Sequence, residues 1–286
     1  MLNLHQKTIS HKVSCSGIGL HSGKEVKMTL LPASADSGII FKRVDIKDKN
    51  NVIKANYHNV SYTNLGTVIS NEDGVQVSTI EHFMAALWCL EIDNLIVEID
   101  NVEVPILDGS SEPFIFLIEC GGIKTLEATR KIIEILEEVT FQSGDKYLSV
   151  KPGSSFSIKL EIDFNHPQIR ETKYLFDEAK SSFKNDISRA RTFCFQKEID
   201  QMHQMGLAKG GSLDNAIVIG DNGILNKGNL RYRDEFVKHK ILDFIGDIYL
   251  AGNRIAGEFT AFKTGHSINN QFLRQLLSNK SAWRLV

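Results

Sequence analysis

Two stretches of the chain share one plan and decide the fold: "TIEHFMAALWCLEIDNLIVEI" (79–99) and "FVKHKILDFIGDIYLAGNRIAGEF" (236–259). Each predicts a helix that contains a histidine, then a short polar turn with Asn94 or Asn253, then a strand with an acidic residue near its end. If the two helices pack against one another, their histidines come close together. The sequence therefore predicts an internal duplication with one histidine supplied by each half.

The remaining patterns mix strands and helices. Helical patterns span 78–91, 111–121, 235–251 and 267–278, and the first opens with "STIE" (78–81), which has the form of a capping box. Alternating or β-branched runs predict strands at "EVKMTLLPA", "LGTVIS", "NLIVEID", "YLSVKP", "SFSIKLEIDF", "NAIVIG" and "RIAGEFTAF". Because the regular βαβ alternation of a doubly wound sheet is missing, the prediction is an α+β fold.

Length and composition bound the class of protein. The chain of 286 residues is long enough for two domains, and 42% hydrophobic with 24% charged residues is typical of a soluble globular protein. A net charge of −2 argues against a polyanion-binding surface, so nucleic acid is not an expected partner. The first residues lack the apolar core of a signal peptide, and no run reaches the roughly 20 apolar residues of a membrane span. A cytoplasmic location is expected.

The cysteines carry no sign of a shared function. Cys15, Cys89, Cys120 and Cys194 are scattered, without a Cys-x-x-Cys pair. This spacing predicts neither a disulfide framework nor a cysteine zinc site. They are expected to be small buried hydrophobic residues.

The helix predicted over 235–251 has an apolar face and, opposite it, a line of polar residues. His239, Asp243 and Asp247 follow at i, i+4 steps, so each is rotated by only about 40° from the one before it. An imidazole and a carboxylate one turn apart can bind one cation, whereas a solvated helix face is the alternative. Since two ligands do not make a metal site, a further ligand must come from another segment.

The first half offers Glu81 and His82 at the start of its helix. As the fourth residue of "STIE", Glu81 can merely reach back to the backbone of Ser78. Adjacent helical residues point 100° apart, so the two side chains do not face one ion together. They can instead divide the work, with one binding a metal and the other acting on its water.

His266, in "FKTGHSINNQ", lies between a predicted strand and a predicted helix. A histidine in such a loop is often a surface residue, but Asp247 is a possible partner for it. A carboxylate beside an imidazole raises its pKa and keeps it protonated, as a general acid requires. Thr192, in "SRARTFCF", can donate to an oxyanion or can be an ordinary strand residue.

Nine motifs in order extend over almost the entire chain. They are "GIGLHSG" (17–23), "STIEHFMAAL" (78–87), "IDN" (92–94), "VPILDGSSEPF" (104–114), "IDFNHP" (162–167), "SRARTFCF" (188–195), "GGSLDNAIV" (210–218), "RDEFVKHKILDFIGD" (233–247) and "KTGHSINN" (263–270). Together they closely resemble the UDP-3-O-acyl-N-acetylglucosamine deacetylases, the zinc amidases of bacterial lipid A synthesis. The resemblance implies two domains of similar topology, each a sheet layered on helices, with the active site at their junction. We place these domains at residues 1–126 and 127–286.

The resemblance also implies residue roles. It implies that the Zn²⁺ ligands are His82, His239 and Asp243. Catalysis is then assigned to Glu81 as general base, Thr192 as oxyanion donor, and the pair Asp247 and His266, whose imidazolium protonates the departing amine. Substrate contacts are assigned to Lys240, Phe193, Asp163 and Phe164.

One segment departs from the family's pattern. In "TNLGTVI" (63–69), Asn64 and Gly66 stand where relatives often have larger apolar or sulfur-containing residues. This difference affects the expected accessibility of the metal and the rim of the acyl passage, and leaves the reaction class unchanged.

The implied reaction is removal of acetate from the 2-amino group of a UDP-3-O-acyl-N-acetylglucosamine, by a protein expected to be a monomer. Two other functions stay open at this point. One is zinc hydrolysis of another acyl-amide or a peptide, although no His-Glu-x-x-His is present. The other is a silent nucleotide-sugar binding protein in which Glu81 only caps its helix.

Overall fold

The fold is described by a computed structural model that covers residues 4–286. The helices are α1 (Glu81–Cys89), α2 (Glu112–Cys120), α3 (Phe183–Asp186), α4 (Gln196–Gln204), α5 (Glu235–Ile248) and α6 (His266–Ser278), with 3₁₀ turns at Tyr57–Asn59 and Tyr249–Ala251. The strands are β1 (His5–Ile9), β2 (Val13–Ile18), β3 (Glu25–Pro32), β4 (Ile39–Arg43), β5 (Val52–Lys54), β6 (Val60–Tyr62), β7 (Val68–Ser70), β8 (Gln76–Val77), β9 (Leu95–Ile99), β10 (Ile123–Thr129), β11 (Ile132–Ile135), β12 (Val139–Ser143), β13 (Lys146–Lys151), β14 (Phe156–Glu161), β15 (Lys173–Asp177), β16 (Phe193–Phe195), β17 (Ile217–Gly220), β18 (Gly223–Ile224), β19 (Arg254–Phe262) and β20 (Trp283–Leu285).

Two sheets repeat one topology. The first has the order β2-β3-β9-β4-β5, in which the central strand β9 is antiparallel to β3 and parallel to β4. In the second, β12-β13-β19-β14-β15 follow in the same way, with β19 antiparallel to β13 and parallel to β14. Each central strand is preceded by a buried helix, α1 or α5, and followed by another helix, α2 or α6. The predicted duplication and the α+β class are confirmed.

Each half also carries an insertion at the same place, between its outer strand and its main helix. In the first half this insertion is the small sheet β6-β7-β8, and in the second it is α3, α4 and the sheet β16-β17-β18. The second sheet is further extended by β11 and β20, while β1 pairs with β10. The proposed domain boundary after residue 126 falls within β10 and stays a prediction.

The two main helices, α1 and α5, pack directly against each other. Gly246 permits a very close approach, because a Cβ at this position would lie 2.0 Å from the Glu81 carbonyl oxygen. Nearly every residue of α5 is buried, including His239, Asp243 and Asp247. The alternative of a solvated polar face is therefore wrong, and the polar line of α5 faces the protein interior.

Two local expectations are corrected. Helix α1 begins at Glu81, so Ser78 lies outside it, and the Glu81 carboxylate accepts from the backbone N–H of Thr67 instead of closing a capping box. Among the cysteines, Cys120 is exposed and the others are only partly buried.

Within residues 4–286, none of the helices has both the length and the apolar character that a membrane crossing requires.

Candidate metal centre

The packing of α1 on α5 brings one candidate ligand from the first half to two from the second. His82 Nε2 lies 3.4 Å from Asp243 Oδ1, and His239 Nε2 lies 3.3 Å from the same oxygen. The three candidate ligand atoms all lie within 4.8 Å of one another, and all three side chains are buried. The two imidazole rings stand nearly perpendicular, at 81°, with their centroids 4.9 Å apart.

The hydrogen bonds around this cluster leave two polar atoms without a partner. His239 Nε2 and Asp243 Oδ1 are buried and unpaired, whereas the opposite atoms of both residues are held. His239 Nδ1 donates to the Ala190 carbonyl oxygen at 3.0 Å, and Asp243 Oδ2 accepts from Lys240 Nζ at 2.8 Å. Unpaired buried polar atoms are rare and need an explanation such as an ion. Two imidazoles and one carboxylate are a donor set suited to a divalent metal with one position left for water.

The protonation of His239 fits metal binding. Burial lowers the pKa of His239 to about 3, despite the nearby Asp243 carboxylate. The ring is thus neutral at physiological pH, with its proton on Nδ1 and a free lone pair on Nε2. A neutral imidazole whose other nitrogen donates to a carbonyl is the form that binds metals.

Glu81 lies beside the cluster without joining it. Its Oε2 accepts from the Thr67 backbone N–H at 2.9 Å, and its Oε1 lies 3.9 Å from His266 Nε2. Burial raises the pKa of the Glu81 carboxyl, although His266 and His82 oppose this effect. A raised pKa increases the proton affinity of the carboxylate, as a general base near neutral pH requires.

His266, in the first turn of α6, forms a buried pair with Asp247. Its Nδ1 lies 2.8 Å from Asp247 Oδ2, which also accepts from Asn269 Nδ2 at 2.8 Å. Thr67 Oγ1 donates to the other oxygen, Asp247 Oδ1, at 2.6 Å. Burial alone favours the neutral ring, but the Asp247 and Glu81 carboxylates raise the pKa of His266 to about 10. The imidazole is therefore charged at neutral pH and can donate a proton.

These groups open into a cleft of about 480 Å³, whose lining also includes Thr192, Lys240, Phe193 and Phe164. The rings of Phe164 and Phe193 pack edge to face at 5.4 Å, and Lys240 Nζ lies 5.5 Å from the Phe193 centroid. Asp163 is not among the lining residues: its carboxylate is half exposed and pairs with Lys263 Nζ at 2.8 Å. The expected site residues thus line the cleft or, in the case of Asp247, bond to a residue that lines it. Asp163 is the exception.

A second, largely apolar cavity of about 360 Å³ adjoins this cleft. The two cavities share Leu20, Leu65, Thr192 and Phe193 as walls. Most of the second cavity is lined by the insertion of the second half, including α4, β16 and β17.

Segment 63–69, whose sequence differs from the family's pattern, forms part of the rim of the cleft. Asn64 lines the cleft and donates to the Tyr62 hydroxyl at 3.2 Å. Gly66 has a φ of +159°, and a Cβ there would lie 3.2 Å from Glu81 Oε1. The absence of a side chain at this position therefore leaves room directly beside the Glu81 carboxylate.

Three supporting groups were not foreseen from the sequence: Thr67, Asn269 and the Ala190 carbonyl. Asn269 could have been found, because it stands three residues after His266 and so on the same helix face. Thr67 gave no such signal, since it acts from a loop 180 positions away from Asp247. A backbone carbonyl such as that of Ala190 has no sequence signature at all.

Known proteins resemble this chain along nearly its whole length. A sequence model of the family described as UDP-3-O-acyl N-acetylglycosamine deacetylase matches residues 6–278. The chain is 47% identical to the UDP-3-O-acyl-N-acetylglucosamine deacetylase of Cellvibrio japonicus, over 99% of this chain and 93% of that protein. Identity is 48% to the protein of the same name from Pseudoalteromonas translucida, with 98% and 93% covered, and 45% to that of Shewanella baltica, with 99% and 93% covered. The chain therefore belongs to the UDP-3-O-acyl N-acetylglycosamine deacetylase family.

Proposed function

We propose that this protein is a zinc-dependent amidase that hydrolyses the N-acetyl group of UDP-3-O-acyl-N-acetylglucosamine, giving acetate and UDP-3-O-acyl-glucosamine in lipid A biosynthesis. One observation carries the proposal: two unpaired buried ligand atoms lie beside a carboxylate base and a charged imidazole, in one cleft. The names of the relatives support the substrate. A cytoplasmic location and a monomeric state are part of the same proposal.

His82, His239 and Asp243 would hold the zinc ion. When bound, zinc supplies Lewis acidity, which polarises the amide carbonyl and makes a water molecule easier to deprotonate. The preference for zinc follows from the donor set, because two imidazoles and one carboxylate with an open position are typical of catalytic zinc sites. Lys240, which donates to Asp243 Oδ2, holds the carboxylate so that Oδ1 remains available.

Glu81 and His266 would divide the proton transfers. Glu81 Oε1 takes a proton from the water as the water oxygen bonds to the carbonyl carbon. His266 Nε2 then gives a proton to the amine nitrogen as the carbon–nitrogen bond breaks. Asp247 supports the second step, because its charge keeps the imidazole protonated until the amine leaves.

The remaining assigned residues would bind the substrate. The Thr192 hydroxyl is proposed to donate to the oxyanion that forms on the carbonyl. Lys240, Phe193 and Phe164 line the same cleft and offer a charge and two aromatic edges to the nucleotide-sugar. Asp163 is proposed as an outer contact only, since Lys263 already neutralises it.

The apolar cavity beside the cleft is proposed to take the 3-O-acyl chain. Phe193, Leu20 and Leu65 belong to both cavities, so a sugar in the cleft can extend its acyl chain into the apolar one. Burial of each methylene is worth about 0.8 kcal/mol, and part of this energy can orient the acetamide. An unacylated sugar lacks this contribution and should lose kcat/KM heavily, with a further loss in kcat.

The experiment is to remove all metal, restore one equivalent of zinc, and compare acetate release from the acylated and the unacylated UDP-N-acetylglucosamine. The Glu81→Gln variant serves as the control for contaminating hydrolase. We expect rapid release from the acylated substrate alone. Equal release from both would reject the acyl-sugar assignment but keep a zinc amidase, whereas no release from either, with zinc bound, would favour a binding protein.

A further inference from the structure

Glu235 is a fully buried carboxylate that the proposed chemistry does not use. It lies in the first turn of α5, where a negative charge is favoured by the helix dipole, and its side chain is 0% exposed. It accepts from the backbone N–H of Arg191 at 3.0 Å, from Arg191 Nε at 2.8 Å and from the backbone N–H of Arg231 at 2.6 Å. Such a charge is tolerated in the interior because these charge-assisted bonds are complete.

The segment that Glu235 holds leads directly to the metal centre. Arg191 is flanked by Ala190, whose carbonyl oxygen accepts from His239 Nδ1 at 3.0 Å. Glu235 and His239 stand one helical turn apart on α5, so the helix hydrogen-bonds residues 190 and 191 at two neighbouring positions. The other flank, Thr192, is held separately by Gly109 and Ile217.

We propose that Glu235 is a positioning residue for the metal site. By fixing Arg191 it fixes the Ala190 carbonyl, which keeps the His239 proton on Nδ1 and directs Nε2 toward the metal. The inference rests on the proposed metal site and not on the substrate. Loss of a group that hydrogen-bonds a metal ligand directly typically weakens metal binding by about 10- to 100-fold. Glu235 acts one residue further out, through Ala190, so the effect of its loss should lie at the lower end of this range. Because Thr192 has its own anchors, substrate affinity should change less than metal affinity.

The test measures zinc binding to the full chain by competition with a chelator, together with unfolding of the metal-free protein. The test variant is Glu235→Gln, which keeps the size of the side chain and removes its charge. The matched control is Glu178→Gln, in the turn directly after β15, a segment that supplies no candidate metal ligand. Glu178 also pairs with a buried arginine, Arg254, and accepts from the backbone N–H of Phe156 at 2.7 Å.

A positioning role predicts that Glu235→Gln weakens zinc binding by about 10-fold, while Glu178→Gln loses stability without losing zinc. Zinc affinity equal to that of the wild type in Glu235→Gln, or an equal loss in both variants, overturns the proposal. If Glu235→Gln does not fold, Glu235→Asp replaces it. That variant keeps the charge but draws the carboxylate back by one methylene from the Arg191 backbone N–H and guanidinium, and an unchanged zinc affinity there would equally overturn the proposal.

Discussion

Two aspartates one turn apart on the same helix differ in how completely they are hydrogen-bonded. Asp243 and Asp247 are 3% and 4% exposed. Asp247 receives donors on both oxygens, from Thr67, His266 and Asn269, whereas Asp243 Oδ1 receives none. An unpaired buried carboxylate oxygen is costly, so the deficit marks the place where a cation binds. Asp247, whose two oxygens are both paired, instead places its negative charge beside the His266 imidazole.

His239 and His266, which lie beside Asp243 and Asp247 respectively, differ in their protonation. His239 donates to a carbonyl, and burial lowers its pKa to about 3, so it stays neutral. His266 is also buried, but the carboxylates of Asp247 and Glu81 raise its pKa to about 10. Burial therefore prevails at His239 and leaves the neutral ring that metal binding needs, whereas the carboxylates prevail at His266 and leave the charged ring that proton donation needs.

The largest expected effect separates the two aspartates by metal retention. Asp243→Ala should weaken zinc binding roughly a thousandfold, if three ligands share a binding free energy of about 10–16 kcal/mol. His82→Ala and His239→Ala should act in the same direction. Asp247→Asn should keep its zinc, because it touches none of the three ligand atoms. Metal analysis after dialysis against a chelator measures the difference, and a similar zinc loss in Asp247→Asn would break the comparison.

The next effect concerns rate with metal retained. Glu81→Gln should bind zinc normally and lower kcat by roughly 10²- to 10⁴-fold, the usual contribution of a general base. The amide keeps an oxygen that can accept from the Thr67 N–H, so the loop should stay in place. Zinc content and steady-state rates on the same preparation test this. Loss of zinc in Glu81→Gln, with retention in His82→Ala, would reverse the two roles.

These roles were only partly predictable from the sequence. The spacing of His239, Asp243 and Asp247 is local, and helical periodicity alone puts them on one line. Which aspartate keeps an unpaired oxygen is not local, because it depends on Thr67 and Asn269, which donate to only one of them. The sequence pattern left this choice open, and the resemblance to a family supplied it.

Prediction of the fold from the sequence was limited in the same way, because local features could be predicted and long-range pairings could not. The duplication was visible because each half repeats a helix, a turn and a strand within about 20 residues, which is local information. The strand order was not, since partners such as β3 and β9 are far apart in the chain. Helix α4 was missed because "QKEIDQMHQ" (196–204) is polar and has no residue buried in the core. Its single apolar edge faces the second cavity, through Ile199 and Met202.

A smaller effect tests the charged partner of His266. If His266 is the proton donor, as proposed, activity should fall as the pH rises through the raised pKa of His266, about 10. Asp247→Asn removes the negative charge that favours the proton, and the alkaline limb should move to lower pH by roughly one to three units. Rate profiles from pH 6 to 11 measure the shift. If neither Asp247→Asn nor His266→Ala changes this limb, the pairing is wrong.

The smallest expected effect concerns Thr67, which connects both carboxylates of the proposed proton transfers. It is 2% exposed, its backbone N–H donates to Glu81 and its hydroxyl donates to Asp247 Oδ1 at 2.6 Å. Thr67→Val keeps the shape and the N–H bond and removes only the hydroxyl. One hydrogen bond to a charged group contributes about 1.5 kcal/mol, so kcat should fall roughly tenfold. KM should change little, because Thr67 does not line the cleft.

The control for Thr67→Val is Thr8→Val, which removes another buried hydroxyl, one that accepts from the Ala33 N–H at 3.0 Å. Both variants should lose stability by similar amounts, since each leaves one buried group unpaired. Only Thr67→Val should lower kcat, and Thr67→Ser should restore it by returning the donor to Asp247. An equal kcat in Thr67→Val and Thr8→Val would mean that the bonds to Asp247 are merely structural. The contrast between the two aspartates would then rest on the unpaired oxygen of Asp243 alone.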